Sequence, residues 1–153
     1  MVTLVGTQSK FSNAVRELVE LDYDAVEAYD AAINRLENTS YKSKLREFRA
    51  DHERHIKELS ALLLQHNEKI PEGPSAVKQW LAKGKVVLAN LVGDKTILTA
   101  MKSNEDDTNA AYEKMNQHKE MWLEAREVLQ RGLADEQRHK EWLEDTINVT
   151  SLV

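Results

Sequence analysis

The 153-residue chain contains no cysteine, which removes disulfide frameworks, thiolate metal sites, iron–sulfur clusters and a thiol nucleophile together. Glycine and proline are scarce. There are 5 and 2 of them, where average usage would supply roughly 18 in a chain of this length. Collagen-like, linker-rich and turn-dense all-β chains are thereby excluded, and a helical protein remains. No apolar run approaches the roughly 20 residues that cross a bilayer. Met1 to Gly6 has neither the basic region nor the apolar stretch of a signal peptide, so the expectation is a cytoplasmic protein with no membrane partner. Charge of one sign is not gathered anywhere: 21 Lys+Arg and 26 Asp+Glu leave a net of −5 and are interspersed. A nucleic-acid partner, which calls for a basic stripe, is disfavoured. Gly-rich phosphate loops and Ser/His/Asp arrangements are also missing, so hydrolase and nucleotide-binding readings have no support.

What is present is helical periodicity. Both prolines lie in Lys69–Ser75, the strongest break in the chain. Before it, Val15, Leu18, Asp22, Ala25, Tyr29, Ala32 and Leu36 form one seam with alternating steps of three and four. Tyr41, Leu45, Phe48, His52, His55, Leu59 and Leu62 form a second. After the break, Leu98, Met101, Glu105, Thr108, Tyr112 and Met115 form a third seam, and Trp122, Ala125, Leu129, Gly132, Glu136, His139 and Leu143 a fourth. Ser75 reads as the N-cap of a crossover helix from Ala76 to about Val92, with Gly93 as its stop. The expected architecture is all-α: one domain over 1–153, with a hairpin over about 9–67, a crossover over 68–93 and a second hairpin over about 94–147. Trp80, Trp122 and Trp142 lie near seams or helix flanks, and Val86, Val87, Leu88 and Leu91 in the crossover read either as a cap on the bundle or as the face of a homodimer.

The two halves repeat each other. Asp22 and Tyr29 return as Glu105 and Tyr112, and Ala50-Asp51-His52-Glu53-Arg54-His55 returns as Ala134-Asp135-Glu136-Gln137-Arg138-His139. Within apolar seams, six positions are ionisable: Asp22, His52, His55, Glu105, Glu136 and His139. Folding each hairpin about its turn brings each carboxylate level with its i, i+3 pair, and if the two hairpins pack face to face all six converge on one layer. An unpaired buried charge costs several kcal/mol, so the layer needs either mutual hydrogen bonds that fix helix register or a cation. Imidazole nitrogen with carboxylate oxygen suits iron, manganese or zinc.

One acidic residue on the first helix, a pair on the second, one acid on the third and Glu136-x-x-His139 on the fourth resemble the ferritin-like superfamily of di-iron carboxylate proteins, rubrerythrin among them. The resemblance extends from about Ser9 to Ile147 and includes a bacterial four-helix-bundle branch. It implies a ferritin-like fold with a metal centre of one or two ions, iron first and zinc or manganese next. Asp22 and Glu105 would be terminal carboxylates, His55 and His139 imidazole ligands, and Glu136 a bridge. Asp51 and Asp135 would accept from ligand imidazoles, with Arg54 and Arg138 pairing to those acids and Tyr29 and Tyr112 bonding ligands across the bundle. His52 stands where the family has its second bridging Glu, and Asp22 is a methylene shorter than the usual Glu. The resemblance leaves open a single ion or an asymmetric pair. It implies either oxidation of iron with dioxygen or peroxide, or a structural, stress-associated bundle that the site merely staples. Without cysteine there is no rubredoxin-type module, so a redox cycle would draw on an external reductant.

Overall fold

A computed structural model describes residues 3–74 and 90–151. Among them are four long helices and no strand: α1 (Phe11–Arg35), α2 (Thr39–Gln65), α3 (Asp94–Asn116) and α4 (Arg126–Ser151). The protein is an all-α four-helix bundle. α1 packs along both α2 and α3, and α4 packs along α3 and α2; α2 and α4 are the most loosely joined neighbours.

Local chemistry sets the ends of the helices. The Asn38 side chain accepts the Tyr41 N–H at 3.1 Å and starts α2 three residues after α1 ends. Asp94, at the start of α3, accepts the backbone N–H groups of Glu37 and Asn38 at 2.8 and 3.0 Å. α3 therefore begins at the α1–α2 turn, whereas α2 ends at the opposite end, where His66 stacks on Trp122 with ring centroids 3.5 Å apart. The two helix ends that the crossover joins thus lie at opposite ends of the bundle. The crossover helix assigned to Ala76 to about Val92 falls almost wholly outside the described residues, and so do Trp80, Val86, Val87 and Leu88. Leu91 packs against the core. Gly93 introduces α3: its φ of 95° is a left-handed conformation that glycine adopts without a Cβ penalty.

One seam assignment needs correction. Trp122 and Ala125 precede α4, Ala125 within a 3-10 turn (Leu123–Ala125). His118 donates to the Gln8 carbonyl at 2.6 Å and accepts the Glu120 N–H at 3.0 Å, which holds the connection in a loop. Trp122 packs on Phe11, 4.9 Å away, so its apolar surface is covered without helical geometry.

The core is two apolar clusters. One contains Phe11, Val15, Leu18, Leu59, Leu63, Met115 and Leu129; the other contains Ala32, Leu45, Phe48, Leu98, Met101 and Leu143. Between them lie the ionisable seam positions. Leu18 has no exposed surface and Leu64 is 61% exposed. Leu18→Ala should cost about 2–5 kcal/mol through lost burial and a cavity, whereas Leu64→Ala should stay within about 0.5 kcal/mol. Urea unfolding followed by circular dichroism measures both.

Candidate metal centre

All six seam residues meet in one buried layer: Asp22 from α1, His52 and His55 from α2, Glu105 from α3, and Glu136 and His139 from α4, none more than 4% exposed. Heptad phasing puts them there. A seam position faces the bundle axis whatever side chain occupies it, and i, i+3 spacing aims both members of a pair the same way.

The layer has two overlapping halves. In one, Asp22, His52, His55 and Glu136 each offer an atom, and those atoms lie within 4.8 Å of one another; in the other, His52, Glu105, Glu136 and His139 do the same. His52 and Glu136 belong to both. His52 Nδ1 donates to Asp22 Oδ1 at 2.8 Å and stands 3.4 Å from Glu136 Oε1, while its Nε2 is 3.3 Å from Glu105 Oε1. His55 Nδ1 is 3.3 Å from Asp22 Oδ1 and 3.5 Å from Glu136 Oε1. His139 Nδ1 is 3.3 Å from Glu105 Oε1 and 3.9 Å from Glu136 Oε2.

The surrounding residues are paired reciprocally. Tyr112 donates to Asp22 Oδ2 at 2.7 Å, and Tyr29 donates to Glu105 Oε1. His55 Nε2 donates to Asp135 Oδ2 at 2.9 Å and His139 Nε2 to Asp51 Oδ2 at 2.8 Å. Each imidazole thus takes its acceptor from the opposite helix, and each turns Nδ1 inward. Arg54 pairs with Asp51 (3.3 Å) and Asp135, and Arg138 with Asp135 (3.0 Å) and Asp51 (2.6 Å). These four residues close a charged ring over the α2–α4 face.

Electrostatics splits the groups. Burial works to raise the Asp22 and Glu105 carboxyls, but imidazole hydrogen bonds outweigh it: Asp22 lies below the usual range and Glu105 well below it. Glu136 is pushed well above, by burial and by the charge of Glu105. His52 rises well above its ordinary value and His55 rises too, because their carboxylate neighbours overcome burial. Hydrogen bonds from His139 to Asp51 and from His55 to Asp135 hold those two acids low against their own burial. Burial and a neighbouring carboxylate raise both tyrosines well above their usual value, so they remain phenols and donate.

Three participants were not singled out as site residues from the sequence. Thr108 donates to Glu136 Oε2 at 2.7 Å and lies 3.1 Å from Glu105 Oε2; its place in the third seam was the available signal. Asn109 donates from Nδ2 to the carbonyls of Glu105 (2.7 Å) and Glu136 (3.0 Å), clamping α3 to α4 at the level of the layer. It lies off the seam and has an apolar counterpart in the repeat, Val26, so no pattern marked it. Gly132 is the third: a Cβ there would stand 2.3 Å from Tyr112 Cε1. The bare backbone is what lets the Tyr112 ring lie against α4 and reach Asp22.

The fold and layer define a class: a four-helix bundle with a buried histidine–carboxylate layer whose groups could hold a metal ion. More particularly, the chain belongs to the family described as Domain of unknown function (DUF2383), which matches residues 10–118. No curated protein and no solved structure matches it.

Gly132→Ala should destabilise the protein by about 1–3 kcal/mol, since Tyr112 must leave Asp22 or α3 must part from α4. In a Tyr112→Ala background the same change should become neutral or stabilising, because Ala is the better helix former by about 1 kcal/mol. A double-mutant cycle in urea measures the difference.

Proposed function

We propose that the protein is a metal-binding, ferritin-like four-helix bundle of one domain over 1–153, whose centre takes one or two divalent ions, iron first and zinc or manganese next. One observation carries the reading. Two groups of four ligand atoms converge in a fully buried layer, yet Glu136 Oε1 and His139 Nδ1 have no hydrogen-bond partner. Buried polar atoms are ordinarily satisfied, and a cation would satisfy both. Asp22, Glu105, Glu136, His52, His55 and His139 are the ligands of this reading, with Tyr29, Tyr112, Asp51, Asp135, Arg54 and Arg138 in support.

Iron(II) held there would supply electrons to dioxygen or peroxide, with an external reductant to complete a cycle. The chain's own residues hold the site ready. Asp51 and Asp135 fix the His139 and His55 tautomers with Nδ1 inward, the two tyrosines orient Glu105 and Asp22, and the apolar clusters exclude water. Membership of the ferritin-like superfamily is supported by the four-helix bundle, by the end of α2 and the start of α3 lying at opposite ends of it, and by candidate ligand positions on all four helices. A second reading, a metal that only staples the fold, is favoured by how completely the tyrosines and the Asp/Arg ring enclose the layer.

Elemental analysis of untagged protein, with Glu136→Ala/His139→Ala as comparison, tests the proposal. One or two ions per chain are expected in the parent and a loss in the variant; equal content overturns it. Anaerobic iron(II) loading followed by mixing with oxygen separates the readings, since a staple stays ferrous.

The sign of the pH dependence follows from the shifts. In the metal-free layer His52, His55 and Glu136 hold their protons more tightly than usual, and a ligand must shed its proton. Metal affinity should therefore rise with pH, with proton release visible by calorimetry in buffers of different ionisation enthalpy. The raised imidazoles stabilise the metal-free protein below their ordinary value near 6.5, and this stabilisation is lost as pH rises through their folded values. Chelation should accordingly lower the melting temperature more at pH 8 than at pH 6.

A further inference from the structure

Resting on the metal-binding reading, we infer that the two halves of the layer are unequal, and that the first ion enters the half formed by His52, Glu105, Glu136 and His139, with His52 coordinating through Nε2 alone. The role of His52 decides this. Its Nδ1 is committed to Asp22 Oδ1 at 2.8 Å, the shortest imidazole contact within the layer. Asp22 is in turn fully engaged, its other oxygen accepting from Tyr112 at 2.7 Å. Both ring nitrogens face a carboxylate, and the proton belongs on the closer contact, at Nδ1, so the nitrogen that gives its lone pair is Nε2, 3.3 Å from Glu105.

The halves then differ in donors. Around Glu105 there are two nitrogens and two carboxylates: His52 Nε2, His139 Nδ1, Glu105 and Glu136. His139 Nδ1 is buried and has no hydrogen-bond partner, and the proton on its Nε2 is already given to Asp51 at 2.8 Å. His139 Nδ1 faces the Glu105 and Glu136 carboxylates at 3.3 and 3.9 Å, and a cation set between them would be held by all three. Around Asp22 the set shrinks to one nitrogen, His55 Nδ1, with Asp22 and Glu136 Oε1, because His52 Nδ1 carries its proton there. Two imidazoles with two carboxylates make a complete set for a borderline divalent ion such as zinc, iron(II) or cobalt(II). One imidazole with two carboxylates is the poorer set, and an ion entering it would also disturb hydrogen bonds that already satisfy Asp22. Glu136 serves both halves, Oε1 toward Asp22 and His55 and Oε2 toward His139, so it can hold the first ion without closing the other half.

The test is cobalt(II) titration of the metal-free full chain, followed by visible ligand-field absorption and by proton NMR of exchangeable ring N–H signals. The parent should take one equivalent at least tenfold more tightly than a second. The first equivalent should produce two paramagnetically shifted exchangeable signals, His52 Nδ1–H and His139 Nε2–H; the second should add one, from His55 Nε2–H. Glu105→Gln and His139→Ala should weaken the tight equivalent at least tenfold. Asp22→Asn and His55→Ala should weaken only the second, and Asn keeps an oxygen for His52. Circular dichroism of each variant confirms the bundle, and the isosteric pair Glu105→Gln and Asp22→Asn decides if an Ala variant fails to fold. Two equivalents of equal affinity, the reverse ranking of variants, or the absence of a His52 N–H signal at one equivalent would overturn the inference while leaving the metal reading intact. A parent that takes up no cobalt(II) overturns both.

Discussion

Six ionisable side chains are buried across the middle of this bundle, and the rest of the architecture answers to that burial. Each group taken from water must recover the lost solvation by hydrogen bonds or a counter-charge, and a buried group left short costs kilocalories. The structure meets the demand in shells. Imidazoles and carboxylates face one another, Tyr29 and Tyr112 donate from the two apolar clusters on either side, and the Asp51–Arg54–Asp135–Arg138 ring closes the α2–α4 face. A shift of one helix by a turn would part the pairs that helix makes with its neighbours, so the polar layer sets the register that the apolar clusters alone would leave loosely specified.

The layer also carries a near-twofold repeat whose exceptions are informative. Asp51 on α2 holds His139 on α4, and Asp135 on α4 holds His55 on α2. Tyr29 on α1 reaches Glu105 on α3, and Tyr112 on α3 reaches Asp22 on α1. The symmetry breaks where His52 matches Glu136 and where Phe48 matches Gly132. Phe48 packs on the His139 ring at 4.2 Å, whereas Gly132 makes room for the Tyr112 ring. Two hairpins of common pattern thereby give the two halves of the centre different donor sets and different walls. That difference follows from substitution at single positions rather than from any change of backbone plan.

Much of this was legible in the chain. Seam spacing of three and four specifies which side chains face the axis of a bundle, and an ionisable residue in such a seam announces a buried polar layer, because facing direction depends on helical periodicity and not on side-chain type. The repeat of Asp51-His52-x-Arg54-His55 as Asp135-Glu136-x-Arg138-His139 pointed to the two i, i+3 ligand pairs, and the family resemblance to the acids that support them. Trp122 and Ala125 were misplaced because an aromatic buried by a loop satisfies the same spacing as one buried by a helix; the His118–Gln8 bond that anchors that loop joins residues far apart in the chain.

What the sequence by itself determined is helix content, the faces turned inward and the set of groups that must share a layer, since all of these follow from local periodicity and the cost of burying charge. Only the tertiary structure decided which partner each group takes: that Asp51 serves the His139 imidazole across the bundle rather than one on its own helix, that His52 turns Nδ1 to Asp22, and that Asn109 and Gly132 join α3 to α4. Those choices depend on inter-helix distances of a few ångströms and on rotamers set by packing. Neither is a periodic property of a chain.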